Sequence, residues 1–316
     1  MDSPSFKKDF SYLAVYNHRL EGTLTSVING KAIAAEIRSE VQVSVSSLTR
    51  DTGIVPGLAV VLVGGNPASQ VYVRNKHKSA SEIGMNPMDI QFHQDVDSAT
   101  IEDKLDQLNE DEAVHGILVQ LPLPDHLDGK SIIRRINPMK DVDGLHPENV
   151  GLLLAGTPRF VPATPAGIQE LLIRTNNNPS GKHVVVCGRS DIVGKPISAL
   201  LLQKDSAANA TVTICHTGTK DMGAFTRQAD ILIAAVGIPE LITSDMVSDE
   251  VVVIDVGINR KPDSSRKSGY KLVGDVEYIG VSEKASAITP VPGGVGPMTI
   301  AMLLYNTMKA AKLTAQ

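Results

Sequence analysis

The segment SQVYVRNKHKSA (69–80) sets Tyr72 and Lys76 four residues apart. On a helix this spacing puts a phenol and a primary amine on one face, a pairing suited to proton handling beside a reacting carbon. The same YxxxK spacing occurs in short-chain dehydrogenases, where the nucleotide loop comes first in the chain. Here the loop follows the pair and belongs to another domain, which excludes that reading. Taken alone, the pair also fits an ordinary helix surface.

The second chemical stretch is GRSDIVGKP (188–196), which follows the apolar run KHVVVCG (182–188) and opens a helix. Glycines at such a turn let the backbone come close to a phosphate, and the N–H groups of the helix start attract its charge. The loop is not a Walker A motif, because five residues separate Gly188 from Gly194 and Pro196 stands where a magnesium-binding hydroxyl belongs. It departs from GxGxxG as well, since Ser190 takes the place of the second glycine. An NAD site places a carboxylate at the end of the next strand, to hold the ribose hydroxyls. This chain reads Cys215-His216-Thr217-Gly218 there, while Arg189 in the loop could pair with a 2′-phosphate. NADP is favoured over NAD on that ground; the alternative is that Arg189 is a solvated loop charge.

These residues have to be held by an alternation of short apolar runs and amphipathic stretches, the pattern of an α/β protein. Apolar positions Ile33, Ile37, Val41, Val45 and Leu48 predict a helix over 33–48, followed by a buried strand over 58–64. Asn66 and Pro67 suit the cap and first turn of the helix bearing Tyr72 and Lys76. Runs at 88–93 and 115–123, with helical stretches at 98–109 and 128–135, complete a first series. A Gly- and Pro-rich stretch at 155–165 marks a domain boundary, and Thr164 and Pro165 suggest the cap and first turn of a helix over 164–173. Four Val/Ile-rich runs follow, at 182–188, 210–216, 230–237 and 251–257, and imply a mainly parallel sheet covered on both faces. After the Gly/Pro cluster 290–297 comes a last helix, expected over 299–313.

Composition closes off other classes. The net charge is −5, with no Trp, six Tyr and five Phe, so neither a basic surface nor a base-stacking platform for nucleic acid is expected. No apolar run is long enough to cross a bilayer. Residues 1–26 read as an extension ahead of the folded unit, without a secretory apolar core and with Asp2, Asp9 and Glu21, which a transit peptide would avoid. Cys187 and Cys215 sit in apolar runs and are expected to be buried, reduced thiols of a cytoplasmic protein. Asp141 and Asp143 fail the calcium-loop pattern at Leu145 and His146, so Asp141 is expected to cap a turn. The histidines show no metal-ligand spacing, and no metal is assigned.

Six segments then occur together and in order: YVRNK (72–76), VQLPLP (119–124), KDVDG (140–144), GRSDIVGKP (188–196), DVGIN (255–259) and TPVPGGVGPMT (289–299). In this the chain resembles the bifunctional methylenetetrahydrofolate dehydrogenase/methenyltetrahydrofolate cyclohydrolase (FolD) family over about residues 27–311. The resemblance implies an α/β protomer of two domains. Residues 1–164 with 290–316 would form the folate-binding catalytic domain, to which the C-terminal helix returns, and 165–289 a Rossmann-like NADP-binding domain. It implies a homodimer acting on tetrahydrofolate substrates in one-carbon metabolism that feeds purine biosynthesis. The reactions would be oxidation of 5,10-methylenetetrahydrofolate to the methenyl cation, then hydrolysis to 10-formyltetrahydrofolate.

By the same resemblance Lys76 is the catalytic lysine, Tyr72 lies near the folate ring, Gln120 hydrogen-bonds the lysine and Asp143 holds the pterin. Val119 and Leu121 flank Gln120 in the substrate site. Pro290, Val291, Pro292, Gly293, Gly294, Val295, Gly296, Pro297 and Met298 would line the folate cleft. Gly188, Arg189, Ser190, Thr217 and Ile258 would contact NADP. The residue types suit the chemistry: an ionised Asp143 can accept both donors of a pterin edge. Water attack on the cation needs a base, so Lys76 must be partly neutral, drawn down towards the working pH by desolvation. Gln120 can orient that amine without adding negative charge.

Overall fold

The computed structural model describes residues 25–266 and 269–315; residues 1–24 of the expected extension lie outside this range. In chain order the elements are β1 (Ser26–Val27), α1 (Gly30–Thr52), β2 (Gly57–Val63), α2 (Pro67–Glu82), β3 (Asn86–Phe92), α3 (Ser98–Glu110), β4 (Gly116–Val119), α4 (Gly129–Arg134), α5 (Pro147–Leu154) and α6 (Ala163–Arg174). They continue with β5 (His183–Cys187), α7 (Gly194–Leu201), β6 (Thr211–Cys215), α8 (Met222–Thr226), β7 (Ile231–Ala234), β8 (Val252–Asp255), β9 (Asn259–Pro262), β10 (Tyr270–Val273), α9 (Tyr278–Ser282), β11 (Ala287–Ile288) and α10 (Val295–Thr314).

The first sheet is parallel, in the order β3-β2-β4. Every residue of β2 is buried, because successive side chains point to opposite faces and helices cover both. Leu58, Val60 and Leu62 join the core with α1 and α10; Ala59, Val61 and Val63 pack with Ile101 and Leu105 of α3 and Ile132 of α4. The second sheet has six parallel strands in the order β1-β11-β8-β7-β5-β6. In β5, Val184 and Val186 face one cluster and Val185 and Cys187 the other, by the same alternation. Cys187 and Cys215 are free and buried. The two sheets are joined by a helical seam in which α10 packs along α1 and α6, so the last helix does return to the first lobe.

Four features depart from the sequence expectations. Helix α10 begins at Val295, not at 299, with Pro297 inside its first turn, where a missing N–H costs nothing. Helix α6 begins at Ala163 after Pro162, so Thr164 is not its cap; the Thr164 hydroxyl instead bonds the Thr299 hydroxyl at 2.9 Å and ties α6 to α10. Ser26 and Val27, ahead of the first helix, add to the second sheet beside Ala287 and Ile288. The antiparallel pair β9–β10 was not expected, since NRKP and YKLV lack an apolar run.

Candidate active site

Helix α2 starts where Asn66 accepts hydrogen bonds from the Ala68 and Ser69 N–H groups, with Pro67 in the first turn. Its buried stripe is Ser69, Val73, Lys76 and Ala80, so an amine occupies an inward helical position. Lys76 is only 6% exposed, and its Nζ donates to Gln120 Oε1 at 2.8 Å. Gln120 follows β4, and its backbone N–H donates to the Val61 carbonyl at 2.8 Å. Its side-chain Nε2 donates to the Leu121 carbonyl at 2.7 Å, which turns Oε1 towards the lysine. The bonds Leu121–Pro122 and Val291–Pro292 are cis.

Burial strips water from the Lys76 ammonium and lowers its pKa, while the negative charge of Asp143 works in the opposite direction. The Asp143 carboxyl is pushed up to about 6, chiefly by burial, with Lys76 holding it down and Asp141 adding a like charge. Tyr72 is partly buried, and burial raises its pKa. The turn carrying Asp143 is fixed by Asp141, which is 1% exposed. Its carboxylate accepts from the Leu145 and His146 N–H groups at 3.2 and 2.8 Å and from Asn149 Nδ2 at 2.8 Å. Asp141 therefore caps the turn, as its position in KDVDG suggested.

A cavity of about 360 Å³ brings together Tyr72, Lys76, Val119, Gln120, Leu121 and Asp143 from the first lobe, Ile258 from the second, and Val295 and Gly296 from the start of α10. Its wall also includes Asn66, Ser69, Thr164, Ile192 and Thr299, which the sequence reading did not assign to a site. The signal for several of them was present as helix-start chemistry: the N-termini of α2, α6 and α10 converge on the cleft.

The rest of the 290–298 segment is divided. Pro290, Val291 and Pro292 border a separate cavity of about 550 Å³, which also has Tyr270 and Tyr278 in its wall. Gly293 and Gly294 form the turn before α10: the Gly293 carbonyl accepts from the Lys31 N–H, and the Gly294 N–H donates to the Pro290 carbonyl. Pro297 belongs to the first turn of α10, and Met298 is fully buried against Gly167. Neither of these two is in the cleft lining.

At the end of β5, Gly188 has φ +126°, and a Cβ there would lie 2.1 Å from the Ala235 carbonyl oxygen, so only glycine makes this turn. Arg189 and Ser190 are exposed beyond it, as is Thr217 beyond β6; Cys187 and Cys215 are in register, so these residues stand at the same edge of the sheet. The N–H groups expected to be open to a phosphate are partly used: Ser190 Oγ accepts from Val193 N and Gly194 N at 3.1 and 3.3 Å. Accepting both leaves the Ser190 hydroxyl hydrogen as a donor at the loop surface.

Comparison with known proteins agrees along the chain. Residues 28–143 match the family described as tetrahydrofolate dehydrogenase/cyclohydrolase, catalytic domain, and residues 162–315 match its NAD(P)-binding domain. The bifunctional protein FolD of Haloquadratum walsbyi is 53% identical over 306 residues, covering 96% of this chain and 96% of its own. The crystal structure of the bifunctional FolD methylenetetrahydrofolate dehydrogenase/cyclohydrolase of Campylobacter jejuni superposes with a TM-score of 0.86 at 47% identity, covering 92% of this chain and 99% of its own. The Trypanosoma brucei methylenetetrahydrofolate dehydrogenase-cyclohydrolase, complexed with NADP cofactor and inhibitor, gives 0.87 at 40% identity over 92% of this chain and 99% of its own.

Proposed function

Because the chain belongs to the tetrahydrofolate dehydrogenase/cyclohydrolase family, we propose that it oxidises 5,10-methylenetetrahydrofolate to 5,10-methenyltetrahydrofolate with NADP and hydrolyses that cation to 10-formyltetrahydrofolate. The observation that carries this reading is the single cleft holding the Lys76–Gln120 pair and Asp143 from one lobe and Ile258 from the other.

Asp143 accepts the two adjacent donors of the pterin edge and so fixes the one-carbon unit near Lys76. Tyr72 packs beside the folate ring in the cleft whose wall also includes Val119, Leu121, Val295 and Gly296. Departure of hydride is driven by the folate nitrogen lone pair and needs no protein base. NADP, when bound at the Gly188–Ser190 loop, supplies the hydride acceptor. The loop suits it: Gly188 makes the tight turn after β5, Ser190 offers a hydroxyl, and Arg189 suits a 2′-phosphate, which favours NADP over NAD; Thr217 and Ile258 complete the contacts. In the second reaction the neutral Lys76 amine, oriented by Gln120, takes the proton from the water that attacks the methenyl carbon.

In this reading the described residues up to 164, together with 290–315, form the folate-binding domain, lending Ser26–Val27 to the second sheet, and 165–289 form the NADP-binding domain. The protein works as a homodimer in the cytoplasm, and its net charge of −5 gives no reason to expect a nucleic-acid partner. Among the described residues no helix is long and apolar enough to cross a membrane. The test is turnover of methylenetetrahydrofolate with NADP and with NAD, following the methenyl intermediate and its decay. Failure to form methenyl product with NADP would overturn the proposal.

A further inference from the structure

The second lobe contains two buried carboxyl groups to which neither reaction gives a role. Asp275 is fully buried and Asp255 is 3% exposed. Asp275 Oδ2 accepts from Val236 N and Gly237 N at 2.6 and 2.8 Å, and its Oδ1 accepts from Asn259 Nδ2 at 2.8 Å. Asp255 Oδ1 accepts from Gly257 N and Asp275 N at 3.0 and 2.9 Å, and its Oδ2 accepts from Val276 N at 3.0 Å. Burial pushes Asp255 up to about 7 in spite of those three donors, so keeping charge here is costly.

What the two groups hold together is specific. Val236–Gly237 is the turn leaving β7, and Val256–Ile258 the turn leaving β8 that leads into Asn259 at the start of β9, both at the carboxyl ends of parallel strands, where ligands of open α/β sheets bind. The second turn contributes Val256 and Ile258 to the cleft wall. The fit leaves room only for hydrogen: a Cβ at Gly257 would lie 2.2 Å from Asp275 Oδ1, and one at Gly274 would lie 1.7 Å from Asp255 Oδ2. Turns of this kind otherwise rest on few contacts, and a misplacement of about 1 Å at a reacting centre can cost about a hundredfold in rate.

We propose that Asp275, itself oriented by Asp255, is a positioning residue for hydride transfer: by clamping the turns after β7 and β8 to each other it sets Ile258, and with it the nicotinamide, against the one-carbon unit. This rests on the dehydrogenase reading above. The clamp does not hydrogen-bond Lys76, Gln120 or Asp143, so the water-attack step is independent of it.

The bifunctional chain provides its own control. Asn259→Ala removes one side-chain arm of the clamp and leaves the buried carboxylate with its backbone donors. Dehydrogenase kcat at saturating NADP should fall about 10- to 100-fold, and KM for NADP should rise. Hydrolysis of preformed methenyltetrahydrofolate without dinucleotide should stay within about twofold. Asp275→Asn, nearly isosteric and able to bond Asn259 through its amide, should shift the same ratio in the same direction by a smaller factor, about 3- to 10-fold; it serves as the comparison should Asn259→Ala fail to fold. Equal loss of both activities in proportion to folded protein would overturn the proposal, as would dehydrogenase within twofold of the parent in both variants. A parent protein lacking dehydrogenase activity would sink the proposed function and this inference with it.

Discussion

Replacing Lys76 by Met removes an amine from a slot that a Met side chain can fill, since the residue is only 6% exposed and lies on the inward stripe of α2. Two effects follow. General-base help is worth about 10²–10⁴-fold, or about 3–5 kcal/mol of barrier, so hydrolysis of methenyltetrahydrofolate should fall by at least about a hundredfold. Asp143 also loses the neighbouring charge that holds its carboxyl down, so its pKa should climb above about 6. In the parent, a carboxyl at about 6 is ionised in about nine molecules of ten at pH 7, and the variant falls below that fraction. The variant should therefore show a folate KM that is raised at pH 7 and recovers at higher pH, while kcat for hydride transfer stays within about tenfold of the parent. The assay compares decay of added methenyltetrahydrofolate with its formation from methylenetetrahydrofolate and NADP in one preparation, so the folded fraction cancels from the ratio. Undiminished hydrolysis would refute the base assignment. Equal loss of both activities would mean that Lys76 holds the substrate rather than moving a proton.

Asp143→Ala should raise the folate KM and leave NADP affinity near normal by titration; equal damage to both ligands would point to a folding role. In the parent, kcat/KM for methylenetetrahydrofolate should fall as pH drops through about 6, because protonation removes the carboxylate that holds the pterin; Asp143→Asn should flatten that limb. Hydrolysis should rise with pH as Lys76, whose pKa burial lowers, gives up its proton, and this limb should vanish in Lys76→Met. Gly188→Ala must place a Cβ 2.1 Å from the Ala235 carbonyl at φ +126°, so it should weaken NADP binding in calorimetry and cost about 1–3 kcal/mol of stability. Leu303→Ala, at a fully buried position on α10 in the seam with α1 and α6, should cost about 2–5 kcal/mol in urea unfolding.

Periodicity was enough to read most of the scaffold. The apolar stripe of α1 from Ile33 to Leu48 is buried, and the Val-rich runs of β2 and β5 form strands packed on both faces, because burial on one or both faces is written directly in residue order. Chain order also determined that Tyr72 and Lys76 share a helix and that a glycine turn follows β5. What it could not say is which face of α2 turns inward. Lys76 occupies a position that pattern alone would assign to an apolar residue, and burial in the folded chain is what lowers its pKa. Tertiary packing likewise divided the 290–298 segment, sending Met298 into the core, Pro290–Pro292 to a second cavity and only Val295 and Gly296 to the cleft, because α10 starts inside the glycine cluster. The Asp255–Asp275 clamp was beyond any local signal. Its donors come from three turns separated in sequence, and a carboxylate becomes a clamp only when the fold converges N–H groups upon it.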